Sequence, residues 1–279
     1  MKKKLIAIWK NLLVAILASI WIIPIVWLFV TSLSGYKGIY TARFFPETWT
    51  FQNYIQLFFE PDTVVNFPAW FKNSMIIGVC TCVISTAFVL MVAYAMSCMR
   101  FPSRKRLMSL SMILGMFPGF MSMIAIYHFM KAIGLDQTLL ALILVYSGGA
   151  ALNYYIAKGF FDTIPKTLDE AARIDGATRH TIFWKIILPN AKPIVVNTAI
   201  NAFIAPWVDF IFVSVIMKDN YNNYTVAKGL YTMVDKANIF EYYTSFCAGA
   251  VLVSIPIVCL FIRLQKYYVA GVTAGAAKG

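Results

Sequence analysis

Asp169-Glu170-Ala171-Ala172-Arg173-Ile174-Asp175-Gly176-Ala177-Thr178-Arg179-His180-Thr181-Ile182-Phe183-Trp184-Lys185-Ile186-Ile187-Leu188-Pro189 is the one long polar insertion between two strongly apolar runs of the chain. Its internal signals are those of a helix, a tight turn and a second helix. Thr167 followed by Glu170 has the spacing of a capping box, in which the hydroxyl takes an orphan amide and the carboxylate reaches back. Pro165 sits just ahead, where its missing N–H costs little. Gly176 suits the left-handed residue that closes a helix. Thr178 is placed to cap a second helix carrying Ile182, Phe183, Ile186 and Ile187 on one side, until Pro189 interrupts the pattern. Ala171 and Ala172 leave the first helix thin on one face, which predicts that another protein approaches its backbone there.

The flanks of this arm belong to a membrane. Sixty per cent of the 279 residues are hydrophobic and only 13% are charged, with a mean hydropathy of +0.72, more apolar surface than a soluble domain of this length can hide. Six intervals are long enough to cross a hydrocarbon core, which takes about 20 residues: Asn11–Tyr36, Asn73–Met99, Leu107–Met130, Gln137–Ala157, Pro193–Met217 and Tyr242–Ile262. Met1–Lys10 is basic, and the run after it is too long for a signal peptide and lacks a small-residue cleavage site, so it reads as an uncleaved anchor.

The net charge of +12 would suggest nucleic acid in a soluble protein, but here the basic residues lie between apolar runs, where they set topology. Seventeen of the 24 Lys and Arg fall on the side that holds Lys2–Lys4, Arg104–Arg106, the Glu170 arm and Arg263, and seven on the side that holds Lys37, Arg43 and Lys218. The positive-inside rule then places both termini and the arm in the cytoplasm. The expected layout is a single transmembrane domain over 1–279. It has a cytoplasmic loop at about 158–192, outer loops at about 37–72 and 218–241, and a cytoplasmic tail at 263–279.

Three further stretches carry information. In the outer segment, Thr50 followed by Phe51, Tyr54, Ile55, Phe58 and Phe59 is the stripe of a short amphipathic helix. Gly115-Met116-Phe117-Pro118-Gly119 is expected to kink the third span. Asp209 lies inside the fifth, where an ionised carboxylate costs about 2.5–3.5 kcal/mol on insertion scales. The thirteen Ile, Val and Phe of Pro193–Met217 outweigh that cost at roughly 0.3–0.6 kcal/mol each. The span therefore inserts, with Asp209 facing protein or water. Asn197 and Asn201, four apart and so on one face, join Trp207 and Asp209 as candidate contacts for a polar solute. Pro206 intervenes and is expected to kink the helix. Tyr221 and Tyr224, in the following loop, are candidates for contact with an extracellular protein.

Glu170-Ala171-Ala172, three residues, Gly176, nine residues, then Ile186-x-Leu188-Pro189 resembles, position for position, the EAA loop of bacterial ABC-importer permeases. Tyr127, Gly134-Leu135 and Thr138 resemble the sugar-importer members. The tail Gly271-Val272-Thr273-Ala274-Gly275-Ala276-Ala277-Lys278-Gly279 resembles that of the smaller permease subunit of maltose/maltodextrin importers. The resemblance implies an all-α integral membrane protein with the six-helix bundle of type I importers, set in the bacterial cytoplasmic membrane. It also implies import of a maltodextrin-type oligosaccharide with three kinds of partner: a second homologous permease, two copies of a cytoplasmic ABC ATPase, and an extracellular sugar-binding protein. ATP would be used by the ATPase, with no cofactor bound by this chain. The coupling residues it implies are Glu170, Ala171, Ala172, Gly176, Ile186, Leu188 and Pro189.

No Gly-x-x-x-x-Gly-Lys-Ser/Thr phosphate loop and no His-Glu-x-x-His metal helix occurs. Cys80, Cys82, Cys98, Cys247 and Cys259 lie in or beside apolar runs without metal-ligand spacing, and His128 and His180 are far apart, so the chain reads as a transport subunit and not an enzyme. The competing readings are an ABC permease for a polyol or phospho-sugar and an ion-coupled carrier, for which Asp209 would be a lone intramembrane ligand where several are usual.

Overall fold

A computed structural model describes residues 2–39, 43–60, 65–116, 119–149 and 151–276. Among them the secondary structure is helical apart from one antiparallel bridge, Ser34 to Trp49. In chain order the helices are α1 (Lys2–Ser32), α2 (Gln52–Phe59), α3 (Phe67–Cys98), α4 (Arg104–Gly115), α5 (Gly119–Ala132), α6 (Leu139–Gly148) and α7 (Ala151–Phe161). The arm contains α8 (Lys166–Ile174) and α9 (Arg179–Ile182), the latter continued by a π-helical turn into α10 (Leu188–Asn190). After it come α11 (Lys192–Val208), α12 (Ile211–Met217), α13 (Val226–Met233) and α14 (Ile239–Ala276).

Helices dominate because hydrocarbon offers no water to an open backbone group, so each N–H and C=O must be satisfied within the segment. Ile6–Ser32, Phe67–Cys98 and Ile239–Lys266 are each long and apolar enough to cross a membrane unaided; counting the bent pairs α6–α7 and α11–α12 as one span each gives five. The expected third span is divided into α4 and α5. Its Gly115–Gly119 interruption coincides with that division, although Phe117 and Pro118 lie outside the described residues. The fifth span bends elsewhere than expected: α11 runs through Pro206 to Val208, and α12 leaves at 62°. The backbone of the expected tail is helical as far as Ala276, because no proline ends α14 there and its alanines are strong helix formers; Ala277, Lys278 and Gly279 lie outside the described residues.

The chain divides into two compact units. In the first, Met1–Pro68 with Gly229–Ile255, α1 exposes apolar side chains all round, Trp21 at 79% among them. Only its C-terminal turn, with Val30, Thr31 and Ser32, is buried. That turn is held by a polar cluster. Buried Asn53 donates through Nδ2 to the carbonyls of Ser32 (2.9 Å) and Ser34 (2.8 Å), and its Oδ1 accepts from Thr244 (2.9 Å). The α2 stripe is turned outward: Phe51, Ile55, Phe58 and Phe59 are exposed, while Asn53 and Leu57 face inward. Thr50 does not cap α2 from the N-cap position, which is taken by Phe51; its hydroxyl accepts the Gln52 N–H at 3.0 Å one residue earlier.

The second unit, Ala69–Lys228 with Pro256–Gly279, contains the arm and the broken fifth span. A buried cluster in it runs from Val89, Leu90, Ala93 and Tyr94 of α3 through Ala157 and Phe161 of α7 to the arm and Ile194 of α11.

Replacing Asn53 by Leu keeps the branched shape but strips three polar groups of their buried partner. The expected outcome is a loss of about 1–3 kcal/mol, read as a lowered midpoint of thermal unfolding of the detergent-solubilised chain, with Phe59→Ala, at an exposed position, nearly neutral.

Candidate functional site

The arm is built as a rigid elbow. Lys158 pairs with Asp162 at the end of α7, and α8 begins directly after Pro165, whose carbonyl accepts the Leu168 N–H at 3.2 Å. The Thr167–Glu170 capping box does not form. With Pro165 already in an extended N-cap conformation (φ −57°, ψ 127°), the helix starts at Lys166 and leaves Thr167 inside it. Asp169, in the first turn, forms an ion pair with Arg173 one turn on, at 2.7 Å, a pairing favoured by both spacing and helix dipole.

The turn is a Schellman closure. Gly176 has φ +76°, its N–H bonds the Arg173 carbonyl (3.0 Å), and Ala177 N–H reaches back to Ala172 (2.9 Å). Thr178 then caps α9 by accepting from Thr181 N–H at 3.2 Å. Pro189 does not end this second helix. Its missing N–H and ring disfavour an ordinary helical turn, and the chain widens over Phe183–Ile187 so that Leu188 N–H bonds Phe183 O, before helix resumes to Asn190. Ile182, Phe183 and Ile187 are buried, and Ile186 and Leu188 pack at the edge of the same cluster.

Ala171 and Ala172 part company. Ala172 is 7% exposed and packed into the core cluster with α3 and α7, so its small size serves the approach of its own bundle. On the opposite face Glu170, Ala171 and Ile174 are exposed, Ile174 at 86%. Trp184 of the second helix is exposed as well, beside His180 and Phe183. Gly176 and Pro189 are also exposed.

The fifth-span candidates separate as well. The helix breaks at Asp209, which takes an extended conformation (φ −87°, ψ 104°). Its Oδ1 accepts the Phe212 N–H (2.9 Å), capping α12, and its Oδ2 accepts the Tyr146 hydroxyl of α6 (3.1 Å). A carboxylate that caps a broken helix satisfies backbone that the break exposes. Asn197 is half-buried and Asn201 exposed. Trp207 is not beside them on an open face: it is 3% exposed, edge-on to Phe71 at 5.4 Å and tilted against Phe203 at 5.6 Å. It also closes on Gly78, where a Cβ would lie 2.9 Å from its Nε1. Tyr146 escaped the sequence reading. The one available signal was a phenol in an otherwise apolar helix, and its partner lies 63 residues away.

The loop after α12 is pinned through its backbone. Trp70 donates to Tyr221 O (2.9 Å), and Asn73 to Asn222 O (2.8 Å) and Tyr224 O (3.0 Å). Ser74 Oγ accepts Val226 N–H (2.8 Å). Gln137 and Lys218, both left-handed (φ +59° and +49°), flank a further tie in which Gln137 N–H bonds Ile216 O at 3.2 Å. Tyr224 is 3% exposed and donates to Lys218 O at 2.5 Å, and burial, with Tyr221 and Asp219 adding, pushes its hydroxyl up to about 12. Buried in this way, Tyr224 fixes the loop and does not face outward; Tyr221, 43% exposed with its ring 5.2 Å away, does.

Trp207→Ala is expected to cost about 3–5 kcal/mol of stability and Asn201→Ala less than about 0.5 kcal/mol. Thermal unfolding of the two variants in detergent checks the division between packing residue and open face.

Comparison with known proteins places this geometry. Residues 91–273 match the family described as binding-protein-dependent transport system inner membrane component. A galactooligosaccharides transport system permease protein of Bacillus subtilis (strain 168) is 37% identical over 98% of this chain and 95% of its own length. A maltodextrin transport system permease protein of Streptococcus pneumoniae (strain ATCC BAA-255 / R6) is 33% identical over 90% and 89%. In fold, a chain from the crystal structure of a bacterial ABC transporter that imports the acidic polysaccharide alginate superposes with a TM-score of 0.78 at 23% identity, over 96% of this chain and 98% of that one. The all-helical architecture, the membrane-length helices and this match over most of the sequence agree, and the chain belongs to the family of binding-protein-dependent transport system inner membrane components.

Proposed function

We propose that this chain is one of two permease subunits of an ATP-driven oligosaccharide importer, taking maltodextrins or galactooligosaccharides from an extracellular binding protein. The observation that carries the reading is the exposed Glu170–Ala171–Ile174 face of α8, on an arm whose other side is locked into the bundle through Ala172. The sugar class is supported by relatives more than 30% identical across nine-tenths of the chain. In this reading residues 1–279 form one permease domain of six spans, the third made of α4 and α5, with both termini and the arm in the cytoplasm. Two ATPase copies act on it and on a second, homologous permease.

Closure of the ATPases presses on the outer face of α8. Ala172, Ile182, Phe183 and Ile187 share one close-packed cluster with α3, α7 and α11. Such interiors transmit displacement and do not absorb it, so the push moves these helices as a body and alternates access to a central path. Gly176, Ile186, Leu188 and Pro189 set the elbow's shape, and Glu170 and Ala171 make the contact. Within the path, Asn197 and Asn201 offer hydrogen bonds to sugar hydroxyls. Asp209, held by Tyr146, keeps the fifth span broken beside them, and Trp207 supports that wall from behind. Tyr221 meets the binding protein, on a loop whose course Tyr224 fixes.

Ala171→Glu or Ile174→Asp is expected to leave thermal stability unchanged while lowering ATP-driven uptake of labelled maltohexaose into proteoliposomes at least tenfold. Normal uptake by both variants would remove α8 as the coupling element. Uptake of a polyol in place of any oligosaccharide would move the substrate class. For orientation, a single cysteine at position 166 is expected to resist an impermeant thiol reagent in intact cells, and one at position 222 to react, both in a background without the native cysteines.

A further inference from the structure

A cavity of about 530 Å³ opens where the C-terminal ends of α3 and α7 meet the start of α8. Five cationic and three acidic side chains line it, and two of the acids are held by neighbours. Asp162 is held by Lys158 and by the Ser97 hydroxyl at 2.7 Å. Asp169 Oδ2 is held by Arg173 at 2.7 Å. The other four cations are less engaged. Among the described residues no carboxylate pairs with Arg100, Lys166 or Arg179, and Arg104 makes one long contact to Met99 O at 3.4 Å. Meanwhile Asp169 Oδ1 is buried at the cavity wall with no hydrogen-bond partner.

These two kinds of vacancy call for different halves of one ligand. Unpaired guanidinium and ammonium groups converging on a cavity suit a phosphate, whose oxygens accept several charge-assisted bonds at once. A buried carboxylate oxygen without a partner costs free energy until a donor reaches it, and a phosphodiester has no proton of its own to give. We propose that the cavity binds a phosphate ester whose alcohol portion carries a hydroxyl or ammonium group: Arg100, Lys166 and Arg179 take the phosphate, and Asp169 Oδ1 accepts from the donor. A phospholipid headgroup of the glycerol or ethanolamine type and a soluble glycerol-type phosphate share this chemistry. The site stands on the cavity's own charges and does not depend on the sugar reading. Because Arg100 follows α3, Lys166 opens α8 and Arg179 opens α9, a ligand held by all three ties the arm to the bundle at its base.

The test uses the full-length chain in a non-ionic detergent, titrated by calorimetry with dioctanoyl phosphatidylglycerol, dioctanoyl phosphatidylcholine, sn-glycerol 3-phosphate and inorganic phosphate. Saturable one-to-one binding of phosphatidylglycerol is expected, weakened at least tenfold in the Arg100→Ala, Arg179→Ala double variant. Arg106→Ala, on the same basic stretch but off the cavity, should stay within twofold. Asp169→Asn should narrow the gap between phosphatidylglycerol and phosphatidylcholine, which has no donor, a change that a purely structural role would not produce. Comparable affinity for glycerol 3-phosphate supports the site with a soluble ligand, and binding of the lipid alone supports it with a headgroup. Equal binding of phosphatidylcholine, which has the phosphate but no donor, overturns the proposal. So does indifference to the double variant, or loss of all binding once the ATPase is assembled, which would give the cavity to acidic side chains of that partner.

Discussion

A close-packed apolar contact holds the arm to the membrane bundle. Ala172 of α8 faces inward, and Ile182, Phe183 and Ile187 of the second helix join it in one cluster with α3 and α7. This contact sets which face of α8 is left outward. The Schellman turn at Gly176 and the Thr178 cap then fix the angle between the two helices with hydrogen bonds internal to the elbow. The arm is thereby made stiff by short-range bonds and attached by a close-packed interface.

Within the membrane-length helices the governing constraint is the satisfaction of backbone groups. A span that breaks must repair itself, and the fifth does so with its own carboxylate: Asp209 serves as the hinge residue, the cap of the following half-helix and the acceptor for Tyr146. The cost of placing an acid there is offset by the bonds it supplies. Pro206, three residues earlier, leaves the helix continuous, because neighbouring turns tolerate a missing N–H more easily than an uncapped end.

How much of this was legible in the sequence depended on range. The Gly176 turn and the Thr178 cap were readable because both are local, set by residues within five positions of one another. The Gly115–Gly119 interruption falls where α4 and α5 divide. What failed did so where the surroundings overrode a local pattern. Thr167 lost its capping role to Pro165 two positions earlier. The aromatic stripe of α2 marked a face correctly but not its direction, since in a membrane protein the apolar face can turn outward while Asn53 goes in. Ala171 and Ala172 looked equivalent as neighbours and differ only in which way the helix is rotated against the bundle. Trp207 and Tyr224 were chosen for their chemistry, yet their burial is decided by Phe71, Gly78 and Asn73, more than a hundred residues away. Six spans were expected, and helices of membrane length account for three, or five with the bent pairs.

The loop after α12 illustrates a different kind of freedom. Trp70 and Asn73 grip it by the carbonyls of residues 221, 222 and 224, and every amino acid supplies a carbonyl. The course of the chain is thus indifferent to which side chains stand at Tyr221 and Asn222, both exposed. The loop behaves as an interchangeable cassette on a fixed mount: its surface chemistry can diverge between transporters, or be exchanged by design, while α3 keeps presenting it at the same height and angle.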